Sequence, residues 1–157
     1  MAESKKKTIV FVCKGNGCRS PMAEIFAKDF CLSRGIESVC IFSAAADVSD
    51  PKVQAHLPAS DNAQKVVKEV GLDLSNHRKQ AMTEVKWEDD MQIFCMEEWQ
   101  RKALKEIGVK AEISLLNPHG GVSDPVGADL NTYRQTRDEI KHLVENALLK
   151  TLEVNFN

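Results

Sequence analysis

The sequence has few of the features that mark secreted, membrane-spanning or nucleic-acid-binding proteins. It has five cysteines, an odd set without CxxC or paired Cys/His spacing, so neither a disulfide framework nor a zinc site is expected. Basic residues number 21 against 23 acidic ones, which leaves no excess charge to attract a nucleic acid or an anionic membrane. No apolar run approaches the roughly 20 residues that cross a bilayer. We therefore expect a cytoplasmic protein that needs no metal or other cofactor.

The chain has the length of one ordinary domain. Its 157 residues, 43% of them hydrophobic, suffice for a core of their own. We expect a single domain over residues 1–157, with residues 1–7 as a flexible N-terminus because they end in a run of three lysines.

Short apolar runs alternate along the chain with segments of helical periodicity. The runs predict strands at 8–13, 38–43, 91–95 and 111–116. The clearest helical stripe runs from Leu130 to Leu148. This rhythm predicts an α/β fold, a single three-layer domain with a four-stranded parallel sheet and helices on both faces. The polar, Pro-containing stretch 47–61 predicts a long surface loop.

The turn after the first predicted strand carries the pattern of a phosphate site, CKGNGCRSP from Cys13 to Pro21. Gly15 and Gly17 permit backbone conformations closed to other residues, so successive N–H groups can form an anion-binding nest at the start of a helix. Arg19 adds a planar fork that matches two phosphate oxygens. The same positive field favours the thiolate of Cys13, placed for attack on phosphorus to form a phosphocysteine. Pro21 suits the first helical position.

The bare spacing Cys-x5-Arg occurs a second time, from Cys95 to Arg101. This second match has no glycine, contains two carboxylates that would repel phosphate, and holds Trp99 where the backbone would need to close in. We expect no phosphate site there.

The first loop and several distant segments resemble the low-molecular-weight protein tyrosine phosphatase family. Every fixed residue of the family pattern C-x-G-N-x-C-R-S-P is present between Cys13 and Pro21. The resemblance extends to IFCME at 93–97, to DP at 124–125 and to YRQTRDEI at 133–140. It implies an enzyme that hydrolyses phosphomonoesters through a phosphocysteine intermediate. The substrate would be a phosphorylated protein, in the first place on tyrosine, or a small phosphomonoester, and the product inorganic phosphate.

The resemblance also assigns catalytic roles. Cys13 is the nucleophile, Arg19 holds the phosphoryl group, and Asp124 acts first as general acid and then as base, where its alternative is a plain Asp-Pro turn. Glu97 stands where the family usually has Asp and would pair with Arg19. The phosphate-binding residues implied are Lys14, Gly15, Asn16, Gly17, Cys18 and Arg19.

Further residues resemble those that support the loop in this family. Asn16 and His77 match a pair whose hydrogen bond stiffens the loop. Ser20 matches a hydroxyl that donates toward the Cys13 thiolate, or it is a plain helix N-cap. Cys18 matches a second cysteine that can trap Cys13 in a reversible disulfide, or it is a small buried side chain.

The sequence motifs indicate the type of reaction more clearly than they indicate the substrate. Val126 follows the DP motif and the stretch 47–61 has no aromatic residue, so the usual ring clamp for phosphotyrosine is missing. Gly17 replaces both the larger apolar residue of tyrosine-directed members and the Thr of protein-arginine phosphatases. Because the segment from Asp124 onward resembles that arginine-directed branch, a protein-arginine phosphatase of the same fold is an alternative.

A thiol-dependent arsenate reductase of the same fold is an alternative from another class. Such enzymes share the loop but need a resolving pair of cysteines beyond the nucleophile. Only Cys95 lies in the corresponding region, on a predicted strand and without a partner a few residues later. This places the reductase behind the phosphatases.

Overall fold

A computed structural model describes residues 6–152, in which parallel strands form the central layer. The elements in chain order are β1 (Lys7–Cys13), α1 (Arg19–Ser33), β2 (Val39–Ala45), α2 (Pro51–Gln54), α3 (Asp61–Lys68), β3 (Gln92–Cys95), α4 (Glu98–Glu106), β4 (Glu112–Leu115) and α5 (Leu130–Thr151). Of the predicted flexible terminus 1–7, residues 1–5 lie outside the described residues. Lys7 begins β1, and its backbone N–H donates to the Ser38 carbonyl oxygen (3.1 Å).

The predicted parallel sheet is confirmed over the described residues. Its four strands lie in the order β2-β1-β3-β4, and every neighbouring pair is parallel. The predicted limits are correct to within two residues. β2 continues past its predicted end to Ala45, because pairing of Cys13 with Ala45 extends the ladder over two alanines of low strand propensity.

The side chains of β1 contribute to the core on both faces of the sheet. Ile9 and Phe11 face the cluster that α1, α3 and α5 cover, whereas Val10 and Val12 face the cluster on the α4 side. All four are completely buried. Because both faces are covered, β1 is a nearly continuous apolar run, and its carboxyl end is the point from which the following loop emerges.

The α-helices cover both faces, as predicted, but two local expectations were wrong. Pro21 is the third residue of α1 rather than the first, because Cys18 is the N-cap. The position is still tolerated, since N–H groups in the first turn have no intrahelical acceptor.

The stretch 47–61 is not loop throughout. It contains α2, which begins at Pro51 because the Asp50 carboxylate accepts a hydrogen bond from the Lys52 N–H. Asp61 already belongs to α3. None of the helices within residues 6–152 is both long and apolar enough to cross a membrane.

We expect the packing of α5 against α1 and α3 to dominate the stability of the C-terminal helix. Leu148 is completely buried on α5, whereas Leu32, on α1, is 81% exposed. Leu148→Ala should therefore lower the free energy of unfolding by about 2–5 kcal/mol. The same change at Leu32 should alter it by no more than about 0.5 kcal/mol. Chemical denaturation measures both, and equal losses would contradict the placement of α5.

Candidate active site

Cys13 is the last residue of β1 and lies at the floor of the loop that follows. Its side chain is buried, 2% exposed. The Asn16 backbone N–H donates to the sulfur at 3.3 Å, and the Ser20 hydroxyl lies 2.9 Å from it. Ser20 is the second residue of α1 and not its cap. A backbone N–H and a hydroxyl thus both lie within hydrogen-bonding distance of the one sulfur.

Asn16 holds the loop in shape. It has a φ of 53°, in the left-handed region that Asn tolerates better than most residues. Its buried amide donates to the hydroxyls of Ser20 (2.8 Å) and Ser43 (2.9 Å) and accepts from the Gln80 backbone N–H (3.1 Å). The side chain therefore joins the loop to α1, to β2 and to the segment before the next strand.

The structure corrects the sequence interpretation of the two loop glycines. Gly15 and Gly17 both lie outside the left-handed region, and Asn16 between them is the residue within it. The unusual conformation of the loop therefore depends on the hydrogen bonds of Asn16. The freedom of the glycines is not what supplies it.

His77 lies against the loop as the family resemblance implied, but it contacts the backbone of Asn16. Its Nε2 donates to the Asn16 carbonyl oxygen (2.9 Å). Burial lowers the pKa of His77 below its ordinary value of 6.5, although this hydrogen bond and the charge of Glu24 oppose the shift. A neutral His77 at neutral pH still donates one hydrogen bond, which is the one the loop receives.

Sequence reasoning missed three supporting residues: Glu24, Ser43 and Gln80. The Ser43 hydroxyl donates to the Glu24 carboxylate (2.5 Å), and the Gln80 amide donates to the Ser43 carbonyl oxygen (2.9 Å). The one signal available was Ser43 itself, a polar residue within an otherwise apolar strand. Its partners come from distant segments, so spacing could not reveal them.

Arg19, the first residue of α1, is held rigidly from the opposite side. Its guanidinium is 2% exposed and donates to the Glu97 carboxylate (2.7 Å) and to the Val122 carbonyl oxygen (2.8 Å). Burial raises the pKa of Glu97, but hydrogen bonds from Arg19 and from the Trp99 indole outweigh it and bring the pKa below 4.5. Glu97 is therefore ionised at neutral pH and fixes the direction of the guanidinium.

Asp124 is brought to the same guanidinium. Its Oδ2 lies 3.6 Å from Arg19 Nη2, while its Oδ1 accepts from the Val126 backbone N–H (3.1 Å). The side chain is about one-third exposed. Asp124 therefore both forms the Asp-Pro turn and lies beside Arg19 in the site. Within residues 6–152, no three His, Cys, Asp or Glu side chains are grouped so as to hold a metal ion.

Cys18 links the loop to α3 and α5. Its sulfur lies 3.1 Å from the Ser60 hydroxyl and 3.6 Å from the Tyr133 hydroxyl. Burial raises the pKa of the Cys18 thiol above 9.0, and burial together with this contact raises that of Tyr133 to about 12. Cys18 is thus a neutral, buried thiol in contact with two helices.

The second Cys-x5-Arg segment forms no loop. Cys95 ends β3, Glu97 is the N-cap of α4, and Arg101 lies within that helix. Burial and the charge of Glu98 raise the pKa of Cys95 to about 12. The segment contributes to the site through Glu97, whose carboxylate the Trp99 indole supports.

A sequence model described as low molecular weight phosphotyrosine protein phosphatase matches residues 8–156. The chain belongs to this family. The fold and the resemblance of the loop agree with that assignment, which places the chain among cysteine-based phosphatases and their relatives.

Relatives within the family carry three different activities. An arsenate reductase from Staphylococcus xylosus is 30% identical over 147 residues, which are 92% of this chain and 98% of that protein. A low molecular weight protein tyrosine phosphatase from T. tengcongensis has a TM-score of 0.79 at 28% identity, covering 92% of this chain and 99% of that one. The arginine phosphatase YwlE from Geobacillus stearothermophilus has a TM-score of 0.74 at 26% identity, covering 96% and 99%.

The lowered pKa of Glu97 predicts a pH-dependent contribution to stability. A carboxylate whose folded pKa lies below its ordinary value stabilises the fold above that value and loses this contribution as pH falls through the folded pKa. Glu97→Gln should therefore be less stable than the wild type at pH 7, and the difference should shrink below about pH 4.5. Denaturation at a series of pH values measures this. Glu106→Gln, at an exposed position, serves as control. A difference in unfolding free energy between wild type and Glu97→Gln that stays constant with pH would contradict the ion pair with Arg19.

Proposed function

We propose that the chain is a protein phosphatase that hydrolyses phosphomonoesters with Cys13 as nucleophile. The observation that carries the proposal is one arrangement: the Cys13 sulfur receives the Asn16 N–H, and the nearby Arg19 guanidinium is shared by Glu97 and Asp124. A nucleophile, an anion clamp and an acid are the parts that phosphoryl transfer requires.

In the first step the Cys13 thiolate attacks phosphorus, and the bond from phosphorus to the leaving oxygen breaks. Asp124 gives its proton to that oxygen, which leaves as an alcohol or phenol. The backbone N–H groups of residues 14–19 and the fork of Arg19 hold the three terminal oxygens while charge spreads over them. The product of this step is phosphocysteine.

In the second step water attacks the phosphocysteine. The Asp124 carboxylate takes a proton from the water, the S–P bond breaks, and the electron pair returns to Cys13 as thiolate. The Ser20 hydroxyl, 2.9 Å from the sulfur, stabilises this leaving group. Inorganic phosphate is released, and the enzyme returns to its starting state.

Phosphotyrosine in proteins is the substrate we propose first, as the family description suggests. The likeness to YwlE supports phosphoarginine as the alternative. The staphylococcal relatives favour a second function, arsenate reduction. That reaction needs cysteines that attack in succession, whereas Cys95 is buried with a pKa of about 12 and no cysteine follows it in the chain. Phosphoester hydrolysis therefore ranks above it.

The nucleophile is tested by Cys13→Ser, with p-nitrophenyl phosphate as substrate. We expect kcat to fall by at least about 10³-fold, because serine is a far weaker nucleophile than a thiolate. Inorganic phosphate should still raise the Tm of the variant, since the N–H groups and Arg19 that bind it are intact. Cys40→Ser, at an exposed cysteine of β2, is the matched control and should keep full activity. Substantial turnover by Cys13→Ser would refute the proposal.

The three activities are separated by one panel run with the same enzyme preparation. Phosphotyrosine peptides should be hydrolysed with a higher kcat/KM than phosphoarginine peptides. Arsenate should not drive consumption of thioredoxin-coupled reductant, because the chain lacks the resolving pair. Thiol-dependent arsenate turnover together with feeble phosphatase activity would reverse the ranking, and a preference for phosphoarginine would select the alternative substrate.

A further inference from the structure

Lys79 lies against the middle of the phosphate loop, in space that exists because residue 17 is glycine. A Cβ on Gly17 would lie 3.0 Å from Lys79 Cε and 3.2 Å from Lys79 Nζ. Such distances are shorter than ordinary van der Waals contact. Gly17 is outside the left-handed region, so its backbone conformation does not call for glycine. The close approach of Lys79 does.

Neighbouring backbone fixes this approach. The Lys79 N–H donates to the Leu57 carbonyl oxygen (2.9 Å), and the Ser60 N–H donates to the Gly17 carbonyl oxygen (2.9 Å). The segment 57–60 is thereby tied to Lys79 at one end and to the phosphate loop at the other. The lysine side chain is consequently directed at the loop by two separate pieces of the chain.

The Lys79 ammonium has no anionic partner within residues 6–152. The side chain is only 9% exposed, and the ion pairs and hydrogen bonds of the described residues include none made by its Nζ. Among residues 6–152, the fully buried side-chain nitrogens without a hydrogen-bond partner are Nε2 of Gln100 and Nε of Arg101, so the Lys79 ammonium keeps some contact with solvent. A largely buried cation without a counter-ion is costly, and an anion that arrives from solution can relieve that cost.

The charges around the loop are unevenly distributed. Glu97 and Asp124 pair with Arg19, so the carboxylates nearest the anion clamp are already engaged. Lys79 acts electrostatically on His77, whose pKa its charge lowers further. Beside Gly17 the loop therefore carries an ammonium that no ion pair among residues 6–152 neutralises, while the Asp50 carboxylate lies farther along, next to Gly15. The loop N–H groups and Arg19 already supply hydrogen-bond donors for the phosphoryl oxygens. The Lys79 ammonium is therefore available to bind another group of the substrate.

We propose that Lys79 is a specificity-determining residue that binds a carboxylate beside the phosphorylated residue, so that acidic phosphopeptides are the preferred substrates. The inference rests on the proposed phosphatase function and deepens it. The same ammonium repels a positively charged guanidinium, which places phosphoarginine at a disadvantage. In this chain a cation occupies the place that a side chain on residue 17 would fill.

The test compares three phosphotyrosine peptides that differ only in the residues flanking the phosphotyrosine: Glu, Gln or Lys. Wild type should have its highest kcat/KM with Glu and its lowest with Lys. Lys79→Met should reduce the Glu-to-Gln ratio about fivefold, the size of a partly desolvated ion pair, with little change for p-nitrophenyl phosphate. Lys79→Arg should keep the preference, and added salt should weaken it in the wild type.

Lys110→Met is the matched control. Lys110 is exposed and lies just before β4, at the amino-terminal edge of the sheet, opposite the phosphate loop. The Lys110→Met variant should leave the relative kcat/KM values for the three peptides unchanged. A Tm measured with and without inorganic phosphate verifies that each variant is folded and still binds the anion.

Gly17→Ala gives a second, independent arm. The new Cβ would displace the end of the Lys79 side chain, so the acidic preference should fall as in Lys79→Met. The double variant should lose no more preference than either single one, because both act on one ammonium.

The outcomes are distinguishable. An equal fall in kcat/KM for all three peptides upon Lys79→Met would overturn the inference and assign Lys79 to the phosphoryl group, and no change for any peptide would also overturn it. Either result leaves the phosphatase function standing, provided that Cys13→Ser abolishes turnover. Activity that survives in Cys13→Ser would instead refute the function on which the inference rests.

Discussion

The active-site loop depends on a left-handed backbone at Asn16 that its own side chain stabilises. The amide contacts Ser20, Ser43 and the backbone N–H of Gln80, while the carbonyl accepts from His77. An unpaired buried amide would cost about 1–3 kcal/mol, so each partner is needed to keep the conformation favourable. The N–H that reaches the Cys13 sulfur, our proposed nucleophile, belongs to this same residue, so the proposal couples fold stability directly to chemistry.

Arg19 gives the loop a second anchor of a different kind. The hydrogen bonds of Asn16 extend to β2 and to the segment 77–80. Arg19 instead reaches the N-cap of α4 through Glu97, and the chain near Val122. The guanidinium must be buried to act in a weakly screened site, and burial without a carboxylate would be prohibitive. Glu97 compensates the charge and fixes the direction of the guanidinium. In the proposed mechanism it therefore serves the fold and the chemistry together.

Much of the fold could be predicted because it depends on periodicity, which is local. Strand runs and the stripe of α5 are properties of adjacent residues, and the motif beginning at Cys13 is continuous in sequence. Contacts between distant segments could not be predicted. Glu24 and Ser43 meet only through the parallel sheet and its crossover, and the role of Gly17 depends on Lys79, over sixty residues away. Gly17 could not be explained from the loop sequence alone, because the side chain that requires a glycine there belongs to another segment.

One kind of phosphate loop can serve different substrates. In the proposed mechanism the loop N–H groups and Arg19 bind only the phosphoryl group, which every candidate substrate shares. Discrimination must therefore come from what lies beside that ring. In this chain the missing side chain at Gly17 admits a cation from another segment, and Val126 stands exposed where an aromatic wall would lie. The specificity that we propose thus depends less on the shape of the leaving group and more on the charges beside it, because an apolar contact is missing and a cation is present.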